Sequence, residues 1–249
     1  MFIGFSVSNY LSFKTAQTMS MAASKVARHK EHILNGNGKK ILKTGLIYGA
    51  NASGKSNLVK AIDFSRDIIL DGLGEVDLNK KYFRISGECY KTPGVFEYRL
   101  ITHTGKEYSY GIAISYAEKE ILSEWLIRIE KSGTETYIFN RNIDDNGINL
   151  TESEIKIKDA EEKMRWEIYL GDFGENISES MKKKTILSDI AERSNGRQGV
   201  FSEILDVFIW FQSMIIIFPT SQYSGLNQMV EDEQLRNVFS KLLKYFVTD

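Results

Sequence analysis

Residues 49–56 read Gly-Ala-Asn-Ala-Ser-Gly-Lys-Ser. They match G-x-x-x-x-G-K-[ST], a loop whose residue types suit phosphate. The backbone N–H groups from Gly49 through Ala50, Asn51, Ala52, Ser53 and Gly54 to Lys55, Ser56 and Asn57 can wrap phosphate oxygens. The Lys55 ammonium can reach the terminal phosphates as a cation, which makes it the candidate catalytic group. The Ser56 hydroxyl is a hard oxygen ligand suited to Mg²⁺. The expected cofactors are ATP and Mg²⁺.

Such a loop works only where its flanks position it. Thr44-Gly45-Leu46-Ile47-Tyr48 is a short apolar run that predicts a buried strand. Across Ser56–Leu70, the residues Leu58, Val59, Ile62, Ile68 and Ile69 form one apolar stripe at helical spacing. Strand, loop, helix would set the positive end of a helix dipole behind the phosphates.

The remaining pattern predicts an α/β protein. Phe2–Val7 reads as a strand, and Ser12–Ala23 as a second, antiparallel to it. Residues 24–40 read as a basic polar loop turning at Asn35-Gly36-Asn37-Gly38. From Val95 to Phe139 apolar residues recur with period two, through Phe96, Tyr98, Leu100, Tyr108, Tyr110, Ile112, Ile121, Trp125, Ile127 and Tyr137. That predicts an antiparallel meander whose aromatic stripes are core rather than a base-stacking platform. Residues 141–155 read as a polar loop, and Asp144-Asp145-Asn146-Gly147 lacks the rest of a calcium-loop pattern. Residues 156–194 read as mainly helical, with Lys182-Lys183-Lys184 as a solvated run. An apolar helix over 201–212, a buried strand at Met214–Phe218 and an amphipathic helix at Glu231–Phe246 complete the order. The expected division is a nucleotide-binding lobe with antiparallel sheet at 1–140, a mainly helical insertion at 141–212, and a strand with the start of a lid at 213–249.

Composition narrows the partners. The 249 residues carry a net charge of −1, yet residues 1–60 hold nine Lys/Arg against one acid, Glu31. A basic nucleotide-binding edge accounts for that excess, and a DNA-facing patch is the sharper alternative. Cys89 stands alone, which excludes an internal disulfide and a Cys-rich metal site. His29, His32 and His103 are expected to form no ligand cluster. The N-terminus is too short and uncharged for a signal peptide, and the longest apolar run, Met214–Phe218, is strand-sized. A soluble cytoplasmic protein without a membrane partner is expected.

Three segments carry a family resemblance. Ser8-Asn9-Tyr10-Leu11-Ser12-Phe13, the loop Gly49–Asn57, and Met214-Ile215-Ile216-Ile217-Phe218-Pro219-Thr220-Ser221-Gln222 resemble parts of ABC-type ATPase heads of the SMC/RecF/OLD kind. The region Tyr108–Ile129 is similar to that in stand-alone ATPases of bacterial anti-phage and abortive-infection systems. The resemblance implies a P-loop NTPase fold: an ABC-type N-terminal lobe with a mixed sheet, an antiparallel β-subdomain and the start of a helical lid. It implies that Gln222 touches Mg²⁺ and the attacking water as a second catalytic and metal-contacting residue. It also implies a head-to-head homodimer or higher oligomer, a nuclease or toxin partner, and DNA as a further candidate partner.

There are departures. Leu11 stands where relatives carry a basic residue, and Ala52 replaces a loop glycine, which predicts a loop in which residue 52 avoids positive φ. The resemblance places an Asp-Glu-ending strand, a signature segment and a switch histidine in such ATPases. None is read in residues 1–249, so part of a longer chain is expected. DNA repair or chromosome maintenance is the alternative role. A kinase using the same loop and a nucleic-acid-binding scaffold with a structural nucleotide site are the competing classes. The long antiparallel insertion speaks against the kinase.

Overall fold

The structure, a computed structural model, describes residues 1–24, 29–143, 148–193 and 199–218. The chain divides into two compact units, Met1–Met214 and Ile215–Asp249.

The first unit is built on a seven-stranded sheet. Its strands are β1 (Phe2–Ser8), β2 (Gln17–Ser20), β5 (Gly94–Ile101), β6 (Glu107–Ile114), β7 (Ile121–Ile129), β8 (Glu135–Ile143) and β9 (Asn149–Glu152). The order is β2-β1-β5-β6-β7-β8-β9. Every neighbouring pair is antiparallel, so the expected mixed sheet is corrected for the described residues. The period-two stripe forms because alternate side chains share a face. Phe96, Tyr98, Leu100, Tyr108, Tyr110 and Ile112 are fully buried, which bears out their reading as core. A separate hairpin, β3 (Ile33–Gly36) with β4 (Lys39–Leu42), turns at Asn37-Gly38. Both turn residues have positive φ, 47° and 77°, the geometry that matches strand twist in a two-residue hairpin. Ile41 of this hairpin closes a small second cluster with Ile3 and Ile101.

Among the described residues four α-helices accompany the sheet: α1 (Lys55–Asp71), α2 (Ala160–Gly171), α3 (Ile186–Arg193) and α4 (Val200–Gln212). The buried face of α1 is Ala61, Phe64, Ser65, Ile68 and Ile69, spaced three and four apart as one helical stripe requires. Leu58 and Ile62 pack at its margin. Each fully buried Phe or Ile contributes about 2 kcal/mol. Tyrosine hydroxyls from the sheet side fix the helix as well. Tyr98 Oη donates to Ile62 O at 3.0 Å and Tyr10 Oη to Lys60 O at 3.1 Å. Burial, with the Asp63 charge adding, raises the Tyr10 phenol above its usual range and keeps it a neutral donor.

Several expectations change. Thr44–Tyr48 is not a strand and is not buried: Leu46 is 73% and Tyr48 84% exposed. An apolar run becomes a strand only when another strand accepts its backbone groups, and among the described residues none pairs with 44–48. The second strand is shorter than Ser12–Ala23. Residues 24–40 contain a hairpin strand, and residues 141–155 contain β9. Lys182 and Lys184 are not simply solvated, because they pair with Glu120 and Glu179 and with Asp189 and Glu192. In the second unit, residues 215–218 form no strand, and Ile215 and Ile217 are exposed. Asp144–Gly147, Pro219, Gln222 and the helix expected at 231–246 lie outside the described residues. Among the described residues no helix is long and apolar enough to cross a membrane.

Candidate functional site

The loop at 49–54 leads straight into α1. Gly54 is the residue before the helix, at φ 93°. A side chain there is disfavoured twice. The backbone lies in the region that favours glycine, and an added Cβ would stand 3.0 Å from Ser12 Oγ and 3.7 Å from the Phe13 ring. Ser12 and Phe13, in the turn after β1, therefore lie close to Gly54.

Their approach is set by a strained corner. Asn9 and Leu11 both have positive φ, 48° and 44°. The buried Asn9 side chain compensates with three hydrogen bonds. Its Nδ2 donates to Cys89 O and Thr92 O, and its Oδ1 accepts from Phe83 N. Leu11 N donates to Lys81 O at 2.7 Å. The Leu11 side chain packs against the main core, so this position brings no charge to the loop.

Within the loop, the Lys55 ammonium donates to Gly49 O at 2.7 Å and Ala50 O at 2.6 Å, with Ser53 Oγ at 3.4 Å. The cation is thus held over the loop by its own carbonyls. At the start of α1, Leu58 N bonds back to Gly54 O. The N–H groups of Gly54, Lys55, Ser56 and Asn57 have no acceptor among the described residues, and neither does the Ser56 hydroxyl. Open amides at a helix start, one adjacent ammonium and one free hydroxyl are the donor set a polyphosphate with Mg²⁺ requires. The residues present fit both. The amides and Lys55 would hold phosphate, and Ser56 would offer oxygen to the metal, which when bound neutralises phosphate charge.

Ala52 overturns its expectation. It sits at φ 64°, in the left-handed region. The loop demands that conformation there, and the alanine Cβ bears the strain a glycine would avoid.

The structure places Gly49 through Ser53 on an exposed loop and Gly54, Lys55 and Asn57, half-buried, with Ser56 at the start of α1. Gln222 lies outside the described residues. Ser12 carried no site signal in the sequence beyond its place in the Ser8–Phe13 segment. One cation of the N-terminal excess is met internally, since Lys39 pairs with the buried Glu107, which Arg99 also contacts. The histidines also need a correction. His29 Nδ1 lies 3.1 Å and His32 Nε2 3.6 Å from Glu31 Oε1. The tight turn at 30–32, entered from His29 at φ 58°, folds the three side chains together in the open.

Residues 46–169, just under half of the chain, match the family model described as "AAA domain, putative AbiEii toxin, Type IV TA system". No curated protein matches the chain. The matched stretch contains the phosphate loop, α1 and the meander. The match and the geometry of the loop agree that this chain carries an AAA-type, P-loop ATPase-like domain.

Proposed function

We propose that the chain is the ATP-binding lobe of an SMC/RecF/OLD-like ATPase serving in anti-phage defence, where it controls a nuclease or toxin partner. One observation supports the nucleotide reading above others. The first turn of α1 presents unpaired amides beside Lys55, whose ammonium is already parked over the loop. Incoming phosphate would draw Lys55 from those carbonyls into an ion pair, and it would accept from the backbone amides charge-assisted bonds, which are about twice as strong as neutral ones. Ser56 would ligate Mg²⁺, and Gln222 would contact the same ion. The defence role is supported by the wording of the matched family's description, which names a toxin of a toxin–antitoxin system. An ABC-type arrangement would join two heads through their nucleotides, and such a dimer is part of this proposal.

Calorimetry with ATP and Mg²⁺ tests the reading. Lys55→Ala is expected to weaken binding at the loop by about 10-fold or more, the worth of hydrogen bonds to a charged group. Ser56→Ala is expected to remove the Mg²⁺ dependence while leaving metal-free binding in place. Unchanged affinity and stoichiometry in Lys55→Ala overturns it.

A further inference from the structure

Away from the Gly49–Ser56 loop itself, a second feature has the marks of a ligand site. Beyond the C-terminal end of α1 lies a cavity of about 470 Å³, within the usual range for small-ligand pockets. Three tyrosines and three lysines line it: Tyr82, Tyr90, Tyr116, Lys80, Lys119 and Lys183.

The tyrosines form one wall. Tyr82 stands between the other two, with ring centroids 5.4 Å from Tyr90 and 5.8 Å from Tyr116. Tyr116 is buried and donates its hydroxyl to Asn9 O at 2.7 Å, which fixes the back of the wall. Tyr90 at the front is 43% exposed, a large aromatic surface turned to solvent.

The lysines come from three separate turns. None lies within ion-pair distance of a carboxylate among the described residues, whereas the sequence neighbours Lys182 and Lys184 are both paired. Asp77 is the one acid in the lining, and its Oδ1 accepts from Asn79 N at 2.9 Å. Lys80 and Lys119 sit at φ 57° and 56°. A turn that needed only its bend would be made at lower cost with Gly or Asn. The turn bearing Lys183 is anchored from below, because the buried Arg141 donates to the carbonyls of Lys184 and, more weakly, Met181 and Lys182.

The rings of this aromatic wall are tilted against one another, 61° between Tyr82 and Tyr90 and 56° between Tyr82 and Tyr116. The wall stands beside three cations that have no ion-pair partner among the described residues, and one exposed ring face with those cations matches a base carrying phosphate. Stacking suits the ring, and the ammonium groups suit the phosphate charge. We propose that this cavity binds a nucleoside phosphate at a site separate from the Gly49–Ser56 loop. The ligand is either a free nucleotide or the terminal nucleotide of a strand, since the recognised chemistry is the same.

The test uses the full chain carrying Lys55→Ala, so that the phosphate loop is silenced. The probes are fluorescent mant-ADP and a short single-stranded DNA oligonucleotide, each titrated at two salt concentrations. Binding of at least one probe is expected. Adding Lys80→Ala, Lys119→Ala and Lys183→Ala together should weaken it roughly 10-fold and flatten its salt dependence, as loss of three exposed charges implies. Tyr90→Ala alone should weaken it by about 10-fold, with an unchanged circular dichroism spectrum. Binding of mant-ADP identifies a free nucleotide, and binding of the oligonucleotide alone identifies a strand end. Absence of binding by either probe, or binding unaltered by both the triple lysine variant and Tyr90→Ala, refutes the site. Because all comparisons are made within the Lys55→Ala background, the result does not depend on the phosphate-loop reading.

Discussion

Two helix N-termini in this molecule meet the same requirement in opposite ways. At the start of α3, the amides of Ile186 and Leu187 donate to the Glu124 carboxylate at 2.7 and 3.4 Å, and Ser188 N donates to Thr185 Oγ1. At the start of α1, the corresponding amides have no acceptor among the described residues. A helix start always leaves several N–H groups without intrahelical partners. Where the protein supplies the anion, the result is a frame. Where a glycine loop leaves them open, the result is a grip for an outside anion. The surroundings follow the same division. Glu124 is fully buried, while residues 49–53 are exposed.

The largest expected effect comes from removing the internal anion. Glu124→Ala leaves the buried Ile186 and Leu187 amides and the Tyr110 hydroxyl without their acceptor. A loss of about 3 kcal/mol or more in unfolding free energy is expected, from 1–3 kcal/mol per unsatisfied buried donor. Urea denaturation measures it. Lys55→Ala, by contrast, should change stability by no more than about 0.5 kcal/mol, as usual for exposed positions. If the two substitutions destabilise equally, the distinction between frame and grip fails.

The next effect lies in pH. Burial pushes the Glu124 carboxyl up to about 7, against the opposing charge of Arg141, its cross-strand neighbour, and the hydrogen bonds it accepts. A carboxyl raised in the folded state favours the protonated form there. The stability it contributes is complete below the ordinary glutamate range and is lost as pH rises through about 7. Glu107 shows the other outcome. Burial would raise it, but hydrogen bonds from Lys39, Asn37 and Arg99 outweigh that and hold it below the usual range. Unfolding free energy should therefore fall between about pH 4.5 and 8 by on the order of 3 kcal/mol in the parent, and Glu124→Gln should remove most of that slope. A parallel slope in both proteins would show that Glu124 ionises freely.

What could be read from the sequence divides along the same line. The phosphate loop, α1 and the meander are local patterns: a fixed spacing, a helical stripe and a period of two. The hairpin turn at Asn37-Gly38 carried its own signal, masked by the lysines around it. Thr44–Tyr48 could not be read correctly, because an apolar run does not reveal whether a strand partner exists. Glu124 and Arg141 were also illegible. Charged residues on a strand ordinarily face solvent, and only the placement of the turn at 181–184 and of α3 over them makes them buried. Ser12 acquires its role only through the folded corner at Asn9–Leu11.

The smallest effect tests the loop on its own terms. Ala52 holds φ at 64°, where an L-residue pays for its Cβ by about 1 kcal/mol. Glycine removes that strain but loses more freedom on folding, by roughly 0.5–1 kcal/mol. The two terms nearly cancel in overall stability, so Ala52→Gly should leave the urea midpoint almost unchanged. Exchange of the loop amides separates them. Glycine lets residue 52 leave the left-handed region, so amide exchange at 50–54 should accelerate and ATP affinity should fall by a few-fold, the ordering cost returning on binding. Tighter binding in Ala52→Gly would mean that the alanine strains the loop away from phosphate. In that case this helix start is not held ready for its anion, as that of α3 is held by Glu124.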